Sequence, residues 1–168
     1  NPAFYVFLAT LAAVVLLLLT TISVPLTSTF SFLHSTQANG VSFGMWGWCL
    51  DDGEICSPAQ FGYSWPPEIT PSITKALVFY PIAIVCTFFT LVAAAPTVCA
   101  RSTRSDKIFD AFAWVSFGMS AGAFLFMIGI FGSAKSRFEK HGFSASYGNL
   151  PWMSLVATIL LLVVSLSS

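Results

Sequence analysis

The chain has 168 residues, of which 56% are hydrophobic and only 8% are charged, and its formal net charge is zero. A soluble globular domain carries about 25% charged residues, so this composition excludes an ordinary soluble domain and indicates an integral membrane protein. The balanced charge gives no support for nucleic-acid binding.

Four stretches are apolar enough to cross a bilayer, which requires about 20 apolar residues in a helix. They cover about 3–24, 73–99, 111–133 and 149–166. The first exceeds the about 7–15 residues of a signal-peptide core and has no basic start, so we predict a retained helix. The chain is therefore predicted to be one tetraspan domain, an all-α membrane bundle of four helices. Since the sequence starts at Asn1 without a Met, we expect further residues before it.

The connection between the first two predicted helices contains the features of a small β-structure. Residues 41–49 are rich in β-forming and aromatic side chains and predict a strand. The pair Asp52-Gly53 is favoured in hairpin turns, and a return strand then places Cys49 opposite Cys56, near enough for a disulfide. The alternative is two reduced thiols, which requires this loop to face the cytosol.

Three connections join the helices: a long loop (25–72), a charged turn (100–109) and a second loop (134–148). The turn and the second loop carry three Lys or Arg each on opposite sides, so the positive-inside rule does not separate them. The long loop has acidic residues but no Lys or Arg, and a disulfide favours an oxidising compartment. We therefore predict a multi-pass plasma-membrane protein with both loops extracellular and with the turn and both termini cytoplasmic.

The long loop contains a pattern of glycine, tryptophan and cysteine that resembles a known family. Its residues are Gly44, Trp46, Gly47, Trp48, Cys49, Cys56, Ser57, Gly62 and Tyr63. With four predicted helices, the pattern resembles the claudin superfamily and, more specifically, the fungal PalI-type family that includes the eisosome tetraspans. The resemblance covers the whole chain. PalI proteins often carry a long polar C-terminal tail, whereas this sequence stops at Ser168.

The resemblance implies a claudin-like bundle with a disulfide-stapled, β-rich extracellular loop in a fungal plasma membrane. Its functional implication is a non-catalytic accessory or scaffold subunit of a larger membrane complex. Such a complex is a cell-wall polysaccharide synthase or a pH-sensing assembly. The alternative is a self-assembling microdomain organiser of the eisosome type. The expected partners are membrane lipids and another integral membrane protein, or further copies of the chain.

Candidate reactive groups are few in this sequence. The interiors of the predicted helices contain no ionisable side chains, which are the usual mark of a transport pathway. No catalytic or metal-binding motif is present, and His34 and His141 are interpreted as isolated surface residues. We therefore predict no enzyme activity, cofactor or metal, while bound lipids or sterol remain compatible with the sequence.

Three aromatic residues of the loop, Trp46, Trp48 and Tyr63, have two interpretations. They form either the core of a miniature domain at the membrane surface or a direct contact with a partner, since tryptophan and tyrosine favour the interface.

The third predicted helix contains Gly118, Gly122 and Gly129, a spacing that lets helices approach closely in lipid. The contact is predicted either within the bundle or with the helix of another protein.

The predicted charged turn has two features that suggest contact with the inner leaflet. Cys99 is a candidate for S-palmitoylation. Arg101, Arg104 and Lys107 either touch anionic lipids or serve only to set the topology.

Overall fold

The computed structural model describes residues 2–67, 69–99 and 103–167. It contains four long helices: α1 (Pro2–Thr21), α3 (Phe79–Cys99), α4 (Thr103–Lys140) and α5 (Leu150–Ser167). A short helix α2 (Pro71–Thr74) and a 3₁₀ turn (Lys75–Val78) lead into α3. Four segments are long and apolar enough to cross a membrane, so the predicted tetraspan bundle is confirmed for the described residues.

The helices form a ring in which α1 and α4 each pack against both α3 and α5. Small side chains lie at the centre of this ring, including Ala13 of α1, Ala83 of α3, Ala123 of α4 and Ala157 of α5, all at most 1% exposed. Small residues allow helices to approach closely where lipid gives no hydrophobic drive for association. The outward faces carry the larger apolar side chains, as a lipid-facing surface requires.

Helix α4 is longer than predicted, because it runs for 38 residues from Thr103 to Lys140. The prediction of a loop over 134–148 was therefore wrong up to Lys140, and the predicted turn 100–109 is helical from Thr103 onward. The sequence has no glycine or proline between Gly132 and Gly142, and the positive φ of 84° at Gly142 ends the helix. The Phe143 N–H then bonds to the Phe138 carbonyl at 3.0 Å, as in a Schellman motif.

A four-stranded antiparallel sheet lies at one end of the bundle. Its strands are β1 (Leu33–Ser35), β2 (Val41–Phe43), β3 (Trp48–Leu50) and β4 (Ala145–Tyr147). Their order is β3-β2-β1-β4. Strands β1 to β3 come from the connection between α1 and α2, and β4 comes from the connection between α4 and α5. These two connections therefore lie at the same end of the bundle. We call this structure, residues 22–67, 69–70 and 141–149, the cap.

The prediction of one strand over 41–49 was wrong. The segment forms two paired strands joined by a turn, in which the Gly44 N–H bonds to the Gly47 carbonyl at 2.8 Å. The predicted turn at Asp52-Gly53 does exist further along, and the Leu50 N–H bonds to the Ile55 carbonyl across it at 2.9 Å. The chain thus reverses direction twice in succession, at 44–47 and at 52–53, and the sequence predicted only the second reversal.

The cap and the bundle share one hydrophobic core. Phe32 is fully buried and stacks on Phe131 of α4, with ring centroids 5.2 Å apart. Phe43 of β2 contacts Phe138 of α4 at 5.7 Å between centroids. Because α4 continues beyond the apolar segment, its last turns supply the surface on which the sheet rests.

Candidate functional site

The cap contains all the residues of the glycine-tryptophan-cysteine pattern, and two glycines make its tight turn feasible. A Cβ atom at Gly44 would collide with the backbone of Val24, and one at Gly47 would collide with Oγ of Ser57. Glycine at these positions therefore permits close approach of chain segments. The turn reverses the chain so that β3 returns beside β2.

The disulfide closes the segment that follows β3. Cys49 and Cys56 are bonded, with Cα atoms 4.1 Å apart, and they form an antiparallel bridge. Ser57 extends the pairing by two contacts with Trp48: its N–H bonds to the carbonyl at 2.9 Å, and its hydroxyl accepts from the N–H at 3.0 Å. The predicted disulfide is confirmed.

Trp46 attaches the cap to the end of α1. Its indole Nε1–H donates to the carbonyl of Thr21 at 2.7 Å. The adjacent Met45 N–H donates to the hydroxyl of Ser23 at 2.8 Å. Carbonyls in the last turn of a helix lack partners within the helix, so the tryptophan satisfies a group that α1 leaves open.

Tyr63 attaches the same turn to α2. Its hydroxyl donates to the carbonyl of Gly44 at 2.7 Å, while its own carbonyl accepts from Thr74 Oγ1 at 2.8 Å. Tyr63 is 1% exposed, and its burial raises the pKa of the phenol, which stays a neutral donor. The preceding Gly62 has a φ of 78°, and the side chain of Lys75 packs over it.

The pattern residues are thus engaged in contacts within the chain. Tyr63 is buried, and Trp46 and Trp48 are half-buried. The indole of Trp48 meets Trp65 edge-on at 4.6 Å between centroids, and that of Trp46 meets Phe61 at 4.5 Å. These contacts match the interpretation of a miniature core, while contact of the half-buried indoles with a partner stays a prediction.

The outer surface of the cap is polar and acidic at the turn that the disulfide closes. We call Asp51, Asp52 and Glu54, all exposed, the acidic tip. The apolar Ile55 beside it is 55% exposed.

The interpretation of His34 as isolated was wrong. His34 Nε2 donates to Asp51 Oδ2 at 2.7 Å, and the Ser42 hydroxyl donates to Asp51 Oδ1 at 3.4 Å. This pair could not be predicted from the sequence, because His34 and Asp51 are 17 residues apart and only the sheet brings β1 close to the end of β3. Among the described residues, no three His, Cys, Asp or Glu side chains are grouped to hold a metal.

The three helix glycines do not pack against another helix within the described part of the chain. A Cβ atom at Gly118, Gly122 or Gly129 would meet no atom within 4 Å. The prediction of glycine contacts inside the bundle was therefore wrong, and contact with another protein's helix stays a prediction.

The buried face of α4 instead follows a helical period of three and four residues that includes Ser116, Ser120, Ala123 and Met127. Its contacts include hydrogen bonds between hydroxyl groups. Ser120 Oγ lies 2.9 Å from Thr158 Oγ1 of α5, and Ser116 Oγ lies 2.8 Å from Thr90 Oγ1 of α3. Ser116 and Ser120 lie among the glycines in the sequence, and small polar residues three or four apart are a packing signal comparable to glycine spacing. The prediction gave the contact to the glycines, whereas the structure gives it to the serines.

The residues expected at the inner leaflet are described only in part. Arg101 and the side chains of Cys99 and Arg104 lie outside the described residues, and Lys107 is exposed on the first turns of α4. Palmitoylation and contact with anionic lipids stay predictions.

Comparison with known proteins gives the family of this sequence. A family model described as SUR7/PalI family matches residues 2–164. A pH-response regulator palI/RIM9 homolog 1 of Kluyveromyces lactis is 34% identical over 146 residues, covering 76% of this chain and 65% of the relative. A pH-response regulator palI/RIM9 homolog 2 of the same yeast is 48% identical over 44 residues, 26% of this chain and 18% of the relative. The chain thus spans just under two thirds of the first relative's length.

Proposed function

The chain belongs to the SUR7/PalI family, and on this premise we propose that it is a non-catalytic plasma-membrane subunit of a larger membrane complex in the response to ambient pH. The relatives named as pH-response regulators support the process. A signalling role for a non-catalytic tetraspan requires contact with another protein, and a rigid surface outside the membrane is where such contact is expected.

The observation that carries the proposal is how firmly the cap is seated. Its pattern residues contact α1 and α2 through hydrogen bonds at 2.7–2.8 Å, and its aromatic rings stack on α4. A surface held in one geometry loses little conformational freedom on binding. The acidic tip and Ile55 then form the contact surface, which recognises a positively charged partner surface outside the cell.

The proposed topology places the cap outside and both termini inside. A disulfide persists in an oxidising compartment, which supports the external position of Cys49 and Cys56. The partner is then a second integral membrane protein with an extracellular part.

The experiment is affinity purification of the tagged full chain in mild detergent, with mass spectrometry of what co-purifies. We expect one companion in fixed stoichiometry. A double variant, Asp52→Lys with Glu54→Lys, should reduce its recovery by about tenfold or more, because like charges facing each other oppose association. Lys140→Glu is the control, as it reverses an exposed charge at the same end of the bundle and should leave recovery unchanged.

The identity of the companion separates the candidate complexes. Finding a pH-signalling receptor as the companion would support the proposal. Finding a cell-wall polysaccharide synthase would instead indicate a role in cell-wall construction. A chain that elutes alone as a monomer would contradict the accessory role altogether.

Self-assembly into membrane microdomains is the second candidate, and the outward glycines of α4 favour it. Gly118 and Gly122 leave open space on the surface of the bundle, where a helix of a second copy could approach closely. Mass measurement of the detergent-solubilised particle would then give a multiple of one chain. Gly118→Leu with Gly122→Leu should return it to a monomer.

A further inference from the structure

A groove opens on the side of the bundle between the segment that leads into α3 and the outer part of α4. Its volume is about 260 Å³, below the about 300–1,000 Å³ of sites that enclose a whole small molecule. The groove therefore fits part of a longer ligand. We propose that it binds one acyl chain of a phospholipid whose phosphate group lies at Arg137.

The walls of the groove are apolar. Ile69 and Ile73 form one side, and Leu125 and Phe126 form the other. Phe126 is held in place by stacking on Phe79, with ring centroids 5.2 Å apart and planes 7° from parallel. Ile73 and Leu125 are 44% and 68% exposed, so these walls face whatever surrounds the membrane-spanning helices.

The floor of the groove is open because of a glycine. Gly129 lines the groove, and a Cβ atom there would meet no atom within 4 Å. A larger residue at this position would fill the groove without disturbing the fold. The absence of a side chain thus leaves room for a ligand chain beside α4.

One end of the groove is polar and positively charged. Thr70, Ser133 and Arg137 line it together with the apolar residues. Arg137 is the charged side chain among the described residues that line the groove. Arginine matches phosphate in charge and in hydrogen-bond geometry, so this end suits a lipid headgroup.

The depth of the groove agrees with a lipid lying along the membrane normal. Residues 111–134 of α4 contain no Asp, Glu, Lys or Arg, so Arg137 lies just beyond the apolar segment. The twelve residue-to-residue steps from Leu125 to Arg137 rise about 18 Å in a helix, close to the about 15 Å of half a bilayer core. An acyl chain beside Leu125 then places its phosphate at Arg137, in the leaflet on the cap side.

The test is photocrosslinking of the purified full chain in phosphatidylcholine vesicles that contain a phosphatidylcholine with a photoreactive acyl chain. Peptide mass spectrometry should locate the crosslinks at residues 69–73 and 125–130. Gly129→Leu should reduce these crosslinks by about tenfold, while Ala111→Leu, at an exposed position of α4 outside the groove, should not. Arg137→Gln should cause a similar loss, because a charge-assisted hydrogen bond corresponds to roughly tenfold or more in binding, while Lys140→Gln should not.

A diacylglycerol with the same photoreactive chain separates headgroup recognition from mere contact with hydrocarbon. It should crosslink less than the phospholipid in the native chain and equally in Arg137→Gln. The proposal is overturned if Gly129→Leu and Arg137→Gln keep native crosslinking, if the controls lose as much, or if the groove is protected by a co-purifying protein. Gel filtration confirms that each variant is folded. The test does not depend on any role in pH response.

Discussion

Tyr63 joins the tight turn of the cap to α2, through partners that are 19 and 11 residues away from it in sequence. Its hydroxyl bonds to Gly44 and its carbonyl accepts from Thr74, so one side chain fixes both the tight turn and the approach to α2. A buried carbonyl that loses its donor has no water to replace it. The phenol is therefore the most informative single group of the cap.

Replacement of Tyr63 by Phe should lower the free energy of unfolding by about 1–3 kcal/mol, because the Gly44 carbonyl stays buried without a donor. Thermal unfolding in detergent, followed by the circular dichroism of the aromatic groups, measures this change. Tyr147→Phe is the matched control: Tyr147 is 38% exposed, and its loss should change stability by less than about 0.5 kcal/mol. Equal effects of the two variants would refute the role given to Tyr63.

At the level of elements, α4 has one face that has no room for larger side chains and one face that accepts them. Ala123 is 1% exposed in the centre of the bundle, whereas Gly118 faces open space. The two positions are five residues apart on one helix, so they share the same depth region and the same secondary structure. The two positions differ in their surroundings: Ala123 is buried between helices, whereas Gly118 faces open space.

Ala123→Leu should destabilise the bundle by about 1–3 kcal/mol, because extra methylene groups have no room in a packed core. Gly118→Leu should leave stability unchanged or raise it, since leucine has a higher helix propensity than glycine. Unfolding of both variants in the same detergent provides the comparison. Greater damage from Gly118→Leu would show that the faces have been assigned the wrong way round.

The sequence predicts the helices well because apolar length alone determines what can cross a bilayer. It predicts the faces of α4 poorly, since the spacing of Gly118 and Gly122 does not say which side meets a neighbour. The end of α4 was also misplaced: the first charges suggested a loop at 134, but the helix continues to Lys140, since no glycine or proline follows Gly132 before Gly142.

The candidate functional site was likewise predicted only in part. Cys49 and Cys56 could be paired from sequence because they flank a local turn. The contacts of Trp46 with Thr21 and of His34 with Asp51 could not, because each depends on how distant segments are brought together. Strand β4 gave no signal either, as three residues that follow a helix show no alternation long enough to detect.

At the level of the whole molecule, the connection between α1 and α2 and the connection between α4 and α5 lie at the same end of the bundle, since β4 pairs with β1. Single cysteines at Ser28 and Ser146, both exposed in the cap, should therefore behave alike. If the cap is extracellular, both variants react with a membrane-impermeant maleimide on intact cells. Ser167→Cys should react only after permeabilisation.

All labelling variants also carry Cys99→Ser, and the chain with that change alone is the control, because Cys49 and Cys56 are bonded and Cys86 lies within a membrane-spanning helix. Labelling of Ser167→Cys in intact cells, with Ser28→Cys protected, would invert the proposed orientation. Unequal labelling of the Ser28 and Ser146 variants would contradict the shared sheet itself.

The pairing of β1 with β4 also has a consequence for how the protein is made. Leu33 lies opposite Tyr147, so β1 gains its second neighbour only after α2, α3 and α4 have been synthesised. A nascent chain that stops before Ala145 therefore displays β1 with a bare edge, which is prone to pair with other chains. Pairing with β4 covers this edge, and a chain truncated before Ala145 leaves it exposed.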